Sequence, residues 1–125
     1  MTDTNLKEAA VGFLQMTAAG QVGQAFERYA GPQFRHHNPH FPGDAASIQA
    51  GMLENAARFP QMVFGVQRAL ADGDLVAVHS WARMTPDGVD IAIVHILRFE
   101  EGRIAEMWDI GQAQPEPMAN RLGMF

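Results

Sequence analysis

Three short turn signals in the second half of the chain, Ala71-Asp72-Gly73, Thr85-Pro86-Asp87-Gly88 and Glu100-Glu101-Gly102, mark off four strand-length segments rich in β-branched and aromatic residues. Strands joined by loops this short pair antiparallel, so the chain from Gln61 onward reads as a four-stranded meander. The first half has a helical period. Leu6, Ala9, Ala10, Phe13 and Thr17 share one helical face behind Asn5 and Glu8, whose spacing suits a capping box, and Gly20 stops that helix. Val22, Phe26 and Tyr29 mark a second helix ending at Gly31-Pro32. An extended piece, Phe34 to Asn38, leads into the loop Pro39 to Gly43. Asp44 then caps a third helix with Ile48, Met52, Ala56 and Phe59 inward, closed by Pro60. Helices followed by a meander predict an α+β fold, with three N-terminal helices packed on one face of a curved antiparallel sheet.

Bulk properties narrow the function classes. A length of 125 residues suits one domain spanning 1–125, and a hydrophobic fraction of 47% supplies a core. The net charge of -5, with few and scattered Lys and Arg, argues against nucleic-acid or anionic-membrane surfaces, which need a concentrated basic footprint. The absence of cysteine removes disulfides, thiolate nucleophiles and zinc–thiolate sites. Met1 to Lys7 is too polar for a signal peptide, and no apolar run approaches the roughly 20 residues that span a bilayer. The expectation is a soluble, cytoplasmic protein.

Turn chemistry also sets an expected register. If the last two loops are three-residue connections ending in a left-handed Gly, Thr85 pairs with Val89, which places His79 opposite His95 and Trp81 opposite Ile93. Phe99 then pairs with Arg103, so His95 faces Met107 and Ile93 faces Asp109. On this register His79, Trp81, His95, Met107 and Asp109 share one face with Ala77, Ile91, Ile93 and Leu97. A slip of one residue would move a whole strand's set to the other side. The opposite face, with Val78, Ala82, Ala92, Val94, Ile96, Trp108 and Ile110, is nearly as apolar, so both faces need cover. Three helices cover one. A second copy of the chain covering the other predicts a homodimer; the alternative is a C-terminal tail folded back over it.

With these residues identified, the chain resembles the SnoaL-like, polyketide cyclase-like branch of the NTF2-like superfamily, an α+β cone of the cystatin-like kind. The matching pieces are Phe34-Arg35-His36-His37-Asn38-Pro39 with Phe41-Pro42-Gly43-Asp44, then Ala71-Asp72-Gly73-Asp74-Leu75-Val76-Ala77-Val78-His79-Ser80. Val94-His95-Ile96-Leu97-Arg98-Phe99-Glu100 and the run from Arg103 through Met107-Trp108-Asp109 to Gln112 follow in the same order, with the ending Gly123-Met124-Phe125. The resemblance implies a pocket between the concave sheet face and the helices. It also implies acid–base chemistry shared by an aspartate and a histidine on neighbouring strands, here Asp109 and His95, with His37 turned inward and Asn38 at the pocket rim.

Each candidate has a plainer explanation beside it. Asp109 on an apolar strand face is costly unless paired; it is either an acid–base group or a carboxylate satisfied by a structural partner. His79 and His95, facing each other near an acid, are either proton-transfer groups or satisfied core histidines. Trp81, Met107 and Ile93 serve as pocket wall or as packing. His36, His37 and His40 lack a carboxylate at ligand spacing, so no metal is expected, and no cofactor. The resulting expectation is a cofactor-independent lyase or isomerase acting on a small, mostly apolar carbonyl compound. A non-catalytic small-molecule-binding protein or a dimerisation module with the same pocket is the alternative.

Overall fold

The computed structural model describes residues 3–125. The first helix, α1, spans Asp3–Ala18, so Asn5 lies inside its first turn rather than at the cap position. Its end is a Schellman motif: Gly20 takes φ 85°, Gln21 N–H donates to Met16 O (2.9 Å) and Gly20 N–H donates to Thr17 O (3.1 Å). Helix α2 covers Val22–Tyr29. The chain turns extended at once, and strand β1, Ala30–His36, begins before the Gly31-Pro32 pair instead of after it. Asp44 caps α3, Ala45–Arg58, by accepting from Ser47 N–H at 2.9 Å. The strands β2 (Val63–Asp72), β3 (Leu75–Arg83), β4 (Ile91–Glu100) and β5 (Arg103–Ala113) then follow as the expected meander.

The sheet has five strands in the order β1-β5-β4-β3-β2, because β1 adds to the free edge of β5 in parallel. The sheet is therefore mixed. That parallel pairing joins segments some 70 residues apart and has no local turn to announce it. On the inner face, α1 lies across β2 and β3. Phe13, Phe26 and Phe34 bring α1, α2 and β1 together, with ring centroids 5.1 Å and 5.0 Å apart for the two Phe26 contacts. Around them Val76, Val78, Leu97, Phe99, Ile104 and Met107 are buried.

The loops differ from the expectation in ways that reset the register. Between β2 and β3 only Gly73 and Asp74 lie outside the ladder, with Gly73 at φ 60° as the first position of a type II′ connection requires. Between β4 and β5, Glu101 (φ 51°) and Gly102 (φ 78°) are both left-handed, the signature of a two-residue type I′ turn. Glu100 therefore pairs with Arg103, one step away from the expected partner. A bulge at Ala105 supplies a second step, so beyond it Leu97 faces Met107 and His95 faces Asp109. Two one-residue offsets restore the side-chain faces.

The β3–β4 loop carries only one offset. Met84 to Asp90 all lie outside the strands, Gly88 is not left-handed, and Gly88 N–H closes a simple turn onto Thr85 O at 3.0 Å. Val78, not His79, pairs with His95, and His79 pairs with Val94. His79 and Trp81 are therefore on the outer face, a correction to the expected pairing.

Candidate functional site

On the inner face of β4, burial changes along the strand. Leu97 and Phe99 are sealed in the core, whereas His95, Ile93 and Ile91 are half-buried at the end where the helices leave the sheet uncovered. Asp109 stands directly across from His95 on β5 and shares that face. Ile91, Ile93, His95 and Asp109, together with Asn38, His40 and Met84, line an open cleft of about 660 Å³. A smaller cleft of about 150 Å³ continues from it beneath α1 and α3, and the two share Met84, Ile93 and His95.

Asp109 is oriented from the β1–α3 loop: Asn38 Nδ2 donates to Asp109 Oδ2 at 2.9 Å. Asn38 is itself held at two further points. Its Oδ1 accepts from His40 N–H (2.9 Å), and its own backbone N–H donates to His36 Nδ1 (3.0 Å). His36 is buried; its Nε2 donates to Pro42 O at 2.7 Å, which assigns the neutral tautomer with the proton on Nε2. The loop docks on α3 where Gly51 removes a side chain, since a Cβ there would overlap the Phe41 ring. Thus His36 fixes the loop, the loop fixes Asn38, and Asn38 fixes one carboxylate oxygen of Asp109.

His95 has the opposite character. Its Nδ1 is cut off from solvent and has no hydrogen-bond partner among the described residues. Burial disfavours the imidazolium and pushes the pKa down to about 4, with the Asp109 charge opposing the shift in part. At neutral pH His95 is therefore an uncharged imidazole beside a carboxylate. Ser80, the diagonal neighbour of His95 on β3, is also fully buried with an unpartnered Oγ.

Three other expected positions lie elsewhere. His37 points outward, donating from Nε2 to Glu106 Oε2 (2.5 Å) and stacking on Trp108 at 4.9 Å, because alternation along β1 turns His36 inward and His37 out. Trp81, also outward, donates from Nε1 to Asp90 Oδ1 at 2.8 Å, and Arg83 donates to the same oxygen at 2.7 Å. His79 takes a hydrogen bond from Arg68 and stacks against Phe125 at 5.7 Å, so the C-terminal tail reaches the outer face there. Met107 is on the inner face but sealed in the core, whereas Ile93 lines both clefts. The structure brings Asp109, His95, Asn38 and Ile93 together. The residue missed by sequence reading is His36. The strand parity of β1, with Phe34 inward, is the signal that could have found it.

Comparison with known proteins agrees with this architecture. Residues 10–107 match the model of the SnoaL-like domain, and the chain belongs to that family. The match includes His36, Asn38 and His95 and ends two residues before Asp109. No curated protein matches the chain. Among solved structures, wild-type IdmH from Streptomyces antibioticus, described as a proposed polyketide cyclase, is similar with a TM-score of 0.71 and 22% identity, covering 86% of this chain and 91% of its own. AclR from Streptomyces galilaeus, described as a proposed hydroxylase, gives a TM-score of 0.76 at 19% identity, covering 91% and 83%. A proposed SnoaL-like polyketide cyclase from Jannaschia Sp. CCS1 gives 0.73 at 19%, covering 88% and 87%. Different reaction names on one fold show that the fold alone does not choose the chemistry.

If His36 anchors the loop, His36→Ala leaves Pro42 O and Asn38 N–H without their partner. Urea unfolding should show a loss of about 1–3 kcal/mol. His37→Ala, on the outer face, should leave the Asn38–Asp109 contact unchanged in side-chain amide NMR shifts, whereas His36→Ala should move them.

Proposed function

We propose that the His95–Asp109 face performs acid–base chemistry on a small carbonyl compound, an aldol-type cyclisation or an isomerisation. The observation that carries this reading is the pairing of a carboxylate, tethered by Asn38 through one oxygen, with a neutral histidine on the adjacent strand. Asp109 Oδ1, free of hydrogen bonds among the described residues, takes the proton from the carbon next to the carbonyl. The C–H electron pair becomes a carbon–carbon π bond while the carbonyl π pair moves onto oxygen, giving the enolate. The His95 N–H then donates to the developing oxyanion; a neutral imidazole suits this, because it can donate without being acidic enough to protonate the product prematurely. In a cyclisation the enolate carbon attacks a second carbonyl, and the new alkoxide takes the proton back from Asp109. In an isomerisation the proton returns to a different carbon.

Membrane insertion plays no part in this proposal, and among the described residues no helix is long and apolar enough to cross a membrane. We also propose that two copies pair through the outer sheet face, where Ala92, Val94 and Ile96 sit beside Ile110, which is 64% exposed. Sedimentation velocity should give a dimer for the wild-type chain and a monomer for Ile110→Arg; a monomeric wild type contradicts the pairing.

The chemistry is tested by proton exchange. In D2O the protein should accelerate deuterium uptake at the methyl group of a simple methyl ketone, read by NMR. Asp109→Asn should reduce that acceleration by about 10²–10⁴-fold while circular dichroism stays unchanged. His79→Ala should leave it intact, since His79 lies on the other face. Unreduced exchange in Asp109→Asn rejects the proposed role.

A further inference from the structure

The smaller cleft lies between the helices α1 and α3 and the sheet. Leu14 and Ala82 at its floor are buried, but Met52, Met62, Phe64 and Met84 around it are only half-buried although they face the interior. Half-buried apolar side chains on a core-facing surface gain free energy when something apolar covers them. Three of the residues around the opening are methionines, whose unbranched thioethers adapt to an incoming shape.

Three features restrict what fits. The first is volume: the cleft offers about 150 Å³, a size at which an apolar cavity accepts benzene and little more. The second is charge. No Lys or Arg lines either cleft, and Asp109 is the sole acid among the lining residues. An anionic ligand would meet the carboxylate with no cation to compensate, at a cost of about fivefold in affinity even in a well-solvated setting. The third is polarity along the path. The inner cleft is lined mainly by apolar groups, with Thr17 bonded to Leu14 O and Asn55 to the Met62 sulfur, whereas Asn38, His40 and Asp109 belong to the outer one, and His95 stands where the two meet.

We propose that the substrate is an uncharged carbonyl compound bearing a single ring, with the ring in the Met52–Met62–Phe64 cleft and the carbonyl at His95 and Asp109. This rests on the acid–base reading for the identity of the head group. The ring size and the neutrality rest on the clefts alone. On this assignment Met52, Met62 and Ala56 set specificity, and the site rejects fused polycycles at the inner end and carboxylates at the outer one.

The test uses the full chain labelled at the methionine methyl groups, titrated by NMR with acetophenone, with phenylpyruvate and with 9-fluorenone. Acetophenone should move the Met52 and Met62 methyl signals and leave Met118 and Met124, which belong to the C-terminal tail, unmoved. Phenylpyruvate should bind at least about fivefold more weakly, and fluorenone should not move Met62. Ala56→Leu, which adds side-chain volume at the cleft, should suppress the acetophenone shifts; Ala18→Leu serves the same purpose from α1 should the first variant not fold. The assignment is overturned if acetophenone leaves both Met52 and Met62 unmoved, if phenylpyruvate binds as well as acetophenone, or if fluorenone moves Met62 as strongly. Acetophenone bound at Met52 and Met62 without deuterium exchange would reject the acid–base reading and leave the cleft assignment standing.

Discussion

Cross-strand pairing of His95 with Asp109 sets the conditions for everything else at the site. It exists because two local departures from a plain ladder act in succession. The type I′ turn at Glu101-Gly102 shifts β5 by one residue, and the bulge at Ala105 shifts it by another. Without the bulge, Asp109 would face outward with Ile110 inward, and an unpaired histidine would be left against the helices. Sheet parity is unforgiving in this way, since every residue of a strand changes side together.

The surrounding structure divides into a packed end and an open end. Aromatic contacts among Phe13, Phe26 and Phe34 close the core where β1 meets α1 and α2. At the other end the helices diverge from β4, so His95 keeps a sealed Nδ1 while its residue remains half-exposed to the cleft. A polar atom left without a partner in such a place is costly, and proteins retain such costs mainly where function requires them. The outer face is handled differently. Glu106, nearly buried, is held at a pKa of about 2, first by its hydrogen bond to His37 and then by Arg35 and Arg98. It stabilises the fold above the ordinary glutamate range and loses that contribution as pH falls toward 2.

Much of the architecture was legible in the sequence, because it depends on local signals. Gly20, Asp44 and the Gly73 and Gly102 turns mark element ends that the structure keeps, and the helical faces of Phe13, Phe26 and Ile48 point to the core. The site was legible only in part. Thr85-Pro86-Asp87-Gly88 looks like a tight hairpin, yet Asp90 is drawn to the Trp81 and Arg83 side chains and the connection runs from Met84 to Asp90. That single-residue difference sent His79 and Trp81 outward. The β4–β5 register also differed from expectation, but by two residues, which left Asp109 on the intended face. The resemblance points to His37 and passes over His36; strand parity from the inward Phe34 selects His36, and the parallel pairing of β1 to β5 fixes that parity.

Everything at the site turns on His95 being an uncharged imidazole held beside Asp109 on the inner face. The most direct measurement is a titration of the His95 ring nitrogens by 15N NMR, assigned by comparison with His95→Gln. The ring should stay neutral from pH 7 down to about 4, where burial places its pKa. Across that window the unfolded chain binds a proton that the folded chain does not, so stability should fall as pH drops from about 6.5 toward 4. Protonation of His95 near the ordinary value of about 6.5 would mean that the ring is not held neutral beside Asp109.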